Sequence, residues 1–159
     1  MANFAQSTQI GNNMLNGVYE TSGTMQLGIA NYRESQELRT LRYLHFKTNV
    51  PKAGAHMIRI DATGYDYAGS RPIRCSWAWY SYAADGNLYS IALQNMYLGM
   101  IPNAVYYSAD NFVCISASAR DLYYLGVTLD ACSVHSSYGA GFQVAITASG
   151  TTTTAGNFY

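Results

Sequence analysis

Three imidazoles (His45, His56, His135) and three thiols (Cys75, Cys114, Cys132) are the side chains here best suited to metal or nucleophilic chemistry. Two of the His fall in one stretch, residues 43–67, YLHFKTNVPKAGAHMIRIDATGYDY, together with Lys47, Lys52 and Arg59. His45 and His56 are eleven residues apart, which fits neither H-E-x-x-H nor the short gap between paired zinc-ligating His. The Cys count is odd and no C-x-x-C pair occurs, so neither a zinc site nor a dense disulfide framework is expected. Cys75 and Cys114 lie in apolar alternating runs, where a free thiol behaves as a small buried hydrophobe. Cleavage of a glycosidic bond needs two carboxylates a few ångströms apart. Asp66 between tyrosines, Asp85 before Gly and Asp110 before Asn read instead as turn residues that bond their own backbone. There is no G-x-S-x-G elbow, no glycine-rich phosphate loop and no S-x-x-K. The expectation is a non-enzyme with no metal and no cofactor.

The elements that would position these residues are strands. Residues 41–48 (LRYLHFKT) interleave Leu44 and Phe46 with His45 and Lys47. Residues 56–63 (HMIRIDAT) put Ile58, Ile60 and Ala62 on one face and Arg59 and Asp61 on the other. NVPKAGA between them carries Pro and Gly, so the stretch reads as two strands joined by a turn, a structural hairpin. Residues 73–82 (IRCSWAWYSY) set Ile73, Cys75, Trp77 and Trp79 against Arg74, Ser76, Ala78 and Tyr80. Asp85-Gly86 is a turn signal, and LYSIALQ (88–94) follows it. Further runs are 103–108, 111–118, 122–129 and 141–148. About eight strands at 10–15-residue spacing predict an all-β chain. Trp77 and Trp79 follow Cys75 at once, which is not the antibody-type Cys–Trp–Cys spacing. The expected fold is a single β-sandwich, jelly-roll-like or another Greek key, over residues 39–159.

Residues 1–38 read as an N-terminal attachment arm. Gly11, Gly17, Gly23 and Gly28 recur at five- or six-residue intervals, which opposes helix. A short helix is predicted over 31–38 (NYRESQEL). The tail SGTTTTAGNFY is either a free end or a second arm. Phe4, Phe158 and Tyr159 are the candidate arm contacts.

Composition narrows the function classes. The 159 residues are one domain by length. Only 11% are charged, against about 25% in a typical soluble domain, and the net charge is zero. Nucleic acid is therefore not an expected partner. Residues 1–74 hold eight Lys or Arg against five acids, +3, and the remainder holds Arg120 against four Asp, −3. No apolar run approaches the roughly 18 residues of a spanning helix, so membrane insertion is not expected. MANFAQSTQIGNNML has neither the basic nor the apolar region of a secretory leader, which predicts synthesis in the cytoplasm without standard export.

Tyr occurs 15 times, more than one core needs. About half of the rings on alternating strands must face outward. Tyr rings offer contact area at low entropy cost and keep a polar tip, which suits interfaces and sugars. Tyr65, Tyr67, Tyr80, Tyr82, Tyr106, Tyr107, Tyr123 and Tyr124 are the candidate ligand or subunit contacts. The doublets 106–107 and 123–124 must each send one ring outward.

The stretch from Leu44 to Pro51 (LHFKTNVP), with Met57, Ile58, Ile60, Gly64, Tyr65 and Tyr67 after it, resembles a segment of tail-fibre and related virion proteins of tailed phages, marine and cyanobacterial ones among them. The resemblance covers about residues 40–150. It implies a homotrimeric module at the end of a fibre, touching host surface polysaccharide. A fibre carries a long shaft before this domain, whereas about 38 residues precede it here. The resemblance then implies a small virion protein, or a separately encoded fibre tip, held to other virion proteins through its N-terminal arm. The alternatives are a capsid decoration, cement or head-fibre protein that stabilises the particle, and, third, a polysaccharide depolymerase.

Overall fold

The computed structural model describes residues 24–34, 37–38, 41–67, 69–96, 99–119, 122–133 and 144–149. All regular structure among them is β: β1 (Thr24–Arg33), β2 (Glu37–Leu38), β3 (Arg42–Pro51), β4 (His56–Asp66), β5 (Arg71–Ser81), β6 (Leu88–Asn95), β7 (Met100–Tyr107), β8 (Phe112–Ala119), β9 (Leu122–Tyr123), β10 (Gly126–Ser133) and β11 (Val144–Ser149). A five-stranded sheet runs β1-β10-β4-β5-β6 and a four-stranded sheet runs β11-β3-β8-β7; β2 and β9 form a separate short ladder. All pairs are antiparallel. The two sheets pack face to face as a β-sandwich, with β7 against β5 and β6.

The alternation read from the sequence is what fills the space between the sheets. Ile58, Ile60 and Ala62 of β4, Ile73, Cys75, Trp77 and Trp79 of β5, and Val127, Leu129 and Ala131 of β10 point inward and are buried. Leu44 and Phe46 of β3 and Val113, Ile115 and Ala117 of β8 meet them from the other sheet. Successive side chains on a strand point to opposite faces, so each inward row implies an outward one. β8 is the exception, buried on both faces. Its outward Cys114 and Ser116 are small, and the side chains of His45 and Tyr106 meet over them, Nδ1 to hydroxyl, at 2.8 Å.

Four expectations are corrected. The described residues of 31–38 are strand and not helix: Asn31, Tyr32 and Arg33 pair with Thr128, Val127 and Gly126, and Glu37 and Leu38 pair with Tyr123 and Leu122. Ladder hydrogen bonds and the inward placement of buried Ala30 and half-buried Tyr32 outweigh a weak local helix preference. Residues 24–33, expected in the arm, are an edge strand of the sandwich; residues 1–23 of the arm, with Phe4, and the end of the tail, with Phe158 and Tyr159, lie outside the described residues. The run 122–129 is two elements, because Tyr124 takes a left-handed φ of 52° between β9 and β10.

The fourth correction concerns residues 43–67. β3 and β4 are not a hairpin; they belong to opposite sheets. The linker Lys52–Ala55 carries the chain across the end of the sandwich, tied by Lys52 N–H to the Asn111 carbonyl at 2.8 Å. Gly54 has φ +130°, and a Cβ there would lie 2.4 Å from the His56 ring. Lys47 in the middle of β3 pairs with Asp110 in the β7–β8 turn at 2.5 Å, and that contact, with one from Ser108, holds the Asp110 carboxyl below its usual range.

Candidate binding face

The outward side of the five-stranded sheet can be laid out from the strand register. Directly opposed residues of an antiparallel pair share a face. One row across the sheet is Arg33, Gly126, Tyr65 and Pro72, and the next is Asn31, Thr128, Thr63 and Arg74. Asp130, Asp61, Ser76 and Gln94 follow, then Met25, Cys132, Arg59, Ala78 and Ala92. Met57, Tyr80 and Tyr89 close the series. The middle of the face is polar and its two ends are aromatic. Tyr65 lies eight positions beyond Met57 on β4, about 27 Å of extended chain.

At one end, Tyr65 is 50% exposed, and the rings of Tyr67 and Tyr124 meet edge to face at 6.0 Å. Tyr65 and Tyr124 line a cleft of about 500 Å³ with Arg33, Glu34, Leu125 and Gly126. β4 and β10 approach closely beside it: a Cβ on Gly64 would meet the Gly126 carbonyl oxygen at 2.0 Å. Behind it the Tyr32 hydroxyl donates to Glu34 at 3.0 Å, and burial together with that carboxylate pushes the Tyr32 phenol up to about 12.

At the other end three rings form a continuous cluster. Tyr80 and Tyr82 are 6.0 Å apart, and Tyr82 and Tyr89 are 6.4 Å apart. The turn between β5 and β6 holds them. Gly86 takes φ +65°, and the Asp85 carboxylate accepts from Asn87 N–H and from the Tyr89 hydroxyl, which lowers the Asp85 carboxyl and raises the Tyr89 phenol. Beside the cluster, Met57, Arg59, Ala78 and Tyr80 line an apolar hollow of about 310 Å³.

Between the ends, Arg59, Asp61, Arg74, Ser76 and Gln94 line a smaller polar hollow of about 130 Å³, with Arg59 forming a wall of both hollows. Arg59 pairs with Asp61 at 2.7 Å, and the Ser76 hydroxyl donates to the same carboxylate at 2.6 Å. Asp130, directly opposite Asp61, accepts from Gly28 N–H at 2.7 Å and so holds the irregular β1 in place. The guanidiniums of Arg33 and Arg74 carry no hydrogen bond or ion pair among the described residues. No group of three or more His, Cys, Asp or Glu among the described residues is placed to hold a metal ion.

The eight tyrosines singled out by sequence thus divide. Tyr65, Tyr67 and Tyr124 gather at one end of the face, and Tyr80 and Tyr82 at the other. Tyr106 and Tyr107 lie elsewhere, on β7 of the four-stranded sheet. They point opposite ways as a doublet must, Tyr106 to His45 and Tyr107 against the core, where burial raises its phenol. Neither is an open platform. The side chain of Tyr123 lies outside the described residues. Sequence reasoning left out Tyr89 and the polar middle row. Each was visible as the outward member of an alternating strand, but only the register brings Asp61 next to Asp130 and Ser76 next to Gln94. No protein-family model, curated protein or solved structure matches the chain.

Proposed function

We propose that this protein is a non-enzymatic virion module of a tailed phage, a tail-fibre or receptor-binding part that contacts glycan on the host surface. The binding element is the outward face of the five-stranded sheet. The observation that carries this reading is the pairing of exposed tyrosine clusters at both ends with a polar floor between them. Sugars present apolar C–H faces to rings and hydroxyls to amides, carboxylates and guanidiniums, and this face supplies both sets over the length of several sugar units. The resemblance of residues 44–67 to phage fibre segments gives the particle context, and with it a homotrimer joined to other virion proteins by the N-terminal segment. The test is a glycan array and a phage-adsorption competition with the purified chain. Binding together with slowed adsorption is expected; no glycan bound and adsorption unchanged would overturn the reading.

One observation favours a particle-stabilising role, as a decoration or head-fibre protein. β6 is an edge strand without a charged residue, exposed on both faces, with Ile91, Leu93 and the following Met96 among its open apolar groups. Natural edges are usually guarded by charge, proline or a bulge, and here a bulge near Ser90 (φ 49°) is the one guard. Copy number in purified particles separates the two roles: hundreds indicate decoration, and a few tens indicate the tail.

A further inference from the structure

We infer that the glycan is acidic, and that Arg74 in the hollow between β4, β5 and β6 holds a sugar carboxylate. The inference rests on the glycan-binding reading above and adds the chemical class of the ligand.

Of the two guanidiniums in this hollow, Arg59 is engaged by Asp61, and that carboxylate is further satisfied by the Ser76 hydroxyl. Arg74 is left with all its donors unmet among the described residues. A planar guanidinium presents parallel N–H groups that match a carboxylate two to two, a geometry a neutral hydroxyl cannot reproduce. The hollow measures about 130 Å³, several times the share of liquid a water occupies, about 30 Å³. That is room for the carboxylate end of a sugar ring. The Gln94 amide at the rim adds a donor and an acceptor for ring hydroxyls.

The local charge agrees with an anion. Arg59 and Arg74 outnumber Asp61 in the lining of the hollow, and Asp130, opposite Asp61 on β10, is outside that lining and engaged by Gly28 N–H. The next residue of the chain has a place as well. Across the Arg59 wall lies the apolar hollow of Met57, Ala78 and Tyr80, which suits a C–H face or an acyl methyl and leads to the Tyr82/Tyr89 rings. A uronate or other carboxylated sugar, followed by a unit with an apolar face, fits this order of subsites.

The experiment uses the full chain on an array printed with galacturonate and sialylated oligosaccharides, their carboxyl-reduced counterparts and neutral hexose oligomers, with poly-glutamate as a non-sugar anion. Binding to carboxylated sugars is expected, at least tenfold weaker in Arg74→Gln and partly restored in Arg74→Lys. Arg42→Gln removes the same charge from the other sheet and should leave binding intact. Equal binding to carboxylated and reduced sugars, or no response to Arg74→Gln, overturns the acidic assignment and leaves the glycan reading standing. Poly-glutamate held as tightly as the sugars overturns it in favour of simple anion binding. No binding to any sugar removes both readings. Circular dichroism of each variant confirms that loss of binding is not loss of fold.

Discussion

The indole Nε1–H of Trp77, on the five-stranded sheet, donates to the carbonyl of Ser116, on the four-stranded sheet, at 2.9 Å. The same ring meets Phe46 edge to face at 6.1 Å, so one side chain fastens both layers by a polar and an aromatic contact. Replacing Trp77 by Phe keeps a ring and removes the donor. A buried carbonyl that loses its partner costs about 1–3 kcal/mol. Urea unfolding should show W77F destabilised in that range and W77A by about 3–5 kcal/mol. A W77F protein as stable as the parent would show that the bond between the layers contributes nothing net.

Gly64 sets the approach of β4 to β10. A methyl group there collides with the backbone of Gly126, which cannot rotate away as a side chain would. Gly64→Ala should destabilise by about 1–3 kcal/mol. It should also splay the cleft lined by Tyr65 and Tyr124. Fluorescence of a Tyr65→Trp reporter, with and without the Gly64 change, reads that opening directly; an unshifted spectrum argues against it.

His56 is partly withdrawn from water beside Gly54, and this lowers its pKa from 6.5, while a backbone hydrogen bond at Ala53 acts the other way. The folded state therefore prefers the neutral ring, and between the two pKa values the unfolded chain binds more protons. Stability from this group is complete above about pH 6.5 and is lost as pH falls through the lower, folded value. Asp85 and Asp110 titrate below the usual carboxylate range and do not contribute in that window. Denaturation midpoints should drop as pH falls below about 6.5. His56→Gln should flatten that drop; an unchanged slope in the variant counts against the assignment.

The three thiols should differ in reactivity. Burial pushes Cys75 up to about 12, helped by the Asp61 charge. Burial pushes Cys114 up to about 11 against hydrogen bonds from Tyr106 and Ser108. Cys132, half-buried on the outward face, is the accessible one. Since the thiolate is the reacting form, a disulfide reagent near neutral pH should modify one Cys in the native protein and three after unfolding. Cys132→Ser should abolish the native reaction. Rapid modification of all three in the folded protein would contradict the burial of Cys75 and Cys114.

Asp61 and Asp130 stand directly across from each other on β4 and β10, a pairing that invites the thought of hydrolysis. Both are already engaged, Asp61 by Arg59 and Ser76 and Asp130 by Gly28. Polysaccharide incubated with the protein should be bound without gaining reducing ends. Reducing ends that disappear in Asp61→Asn and in Asp130→Asn would replace the binding role by a cleaving one.

Which residues lie inside was legible from the sequence. Ile58, Ile60 and Ala62, and Cys75, Trp77 and Trp79, alternate with polar neighbours, and a pleated strand converts that alternation into two faces. Which strand lies beside which was not legible. Period 2 is blind to partner choice, so LHFKTNVP and HMIRIDAT read as a hairpin although their ladders form with β8 and β10. His45 looked like an outward polar residue, but the Tyr106 hydroxyl, 61 positions away, meets its Nδ1 and allows full burial. The site suffered most from this blindness. Its tyrosines were visible as a surplus, yet the polar row between them is assembled from β4, β5, β6 and β10 and exists only once the register is known.

The Lys52–Ala55 crossing also governs how the chain reaches its native state. β3 waits for β8 and β11 on both its edges, and β4, which can pair at once with β5, waits for β10 on the other, so three strand edges stay open until late residues leave the ribosome. Such distant closure places folding on the millisecond-to-second scale of non-local sandwiches, roughly. It also means that removing the C-terminal third should strand β3 and β4 with open hydrogen-bonding edges and yield aggregate in place of a smaller folded piece.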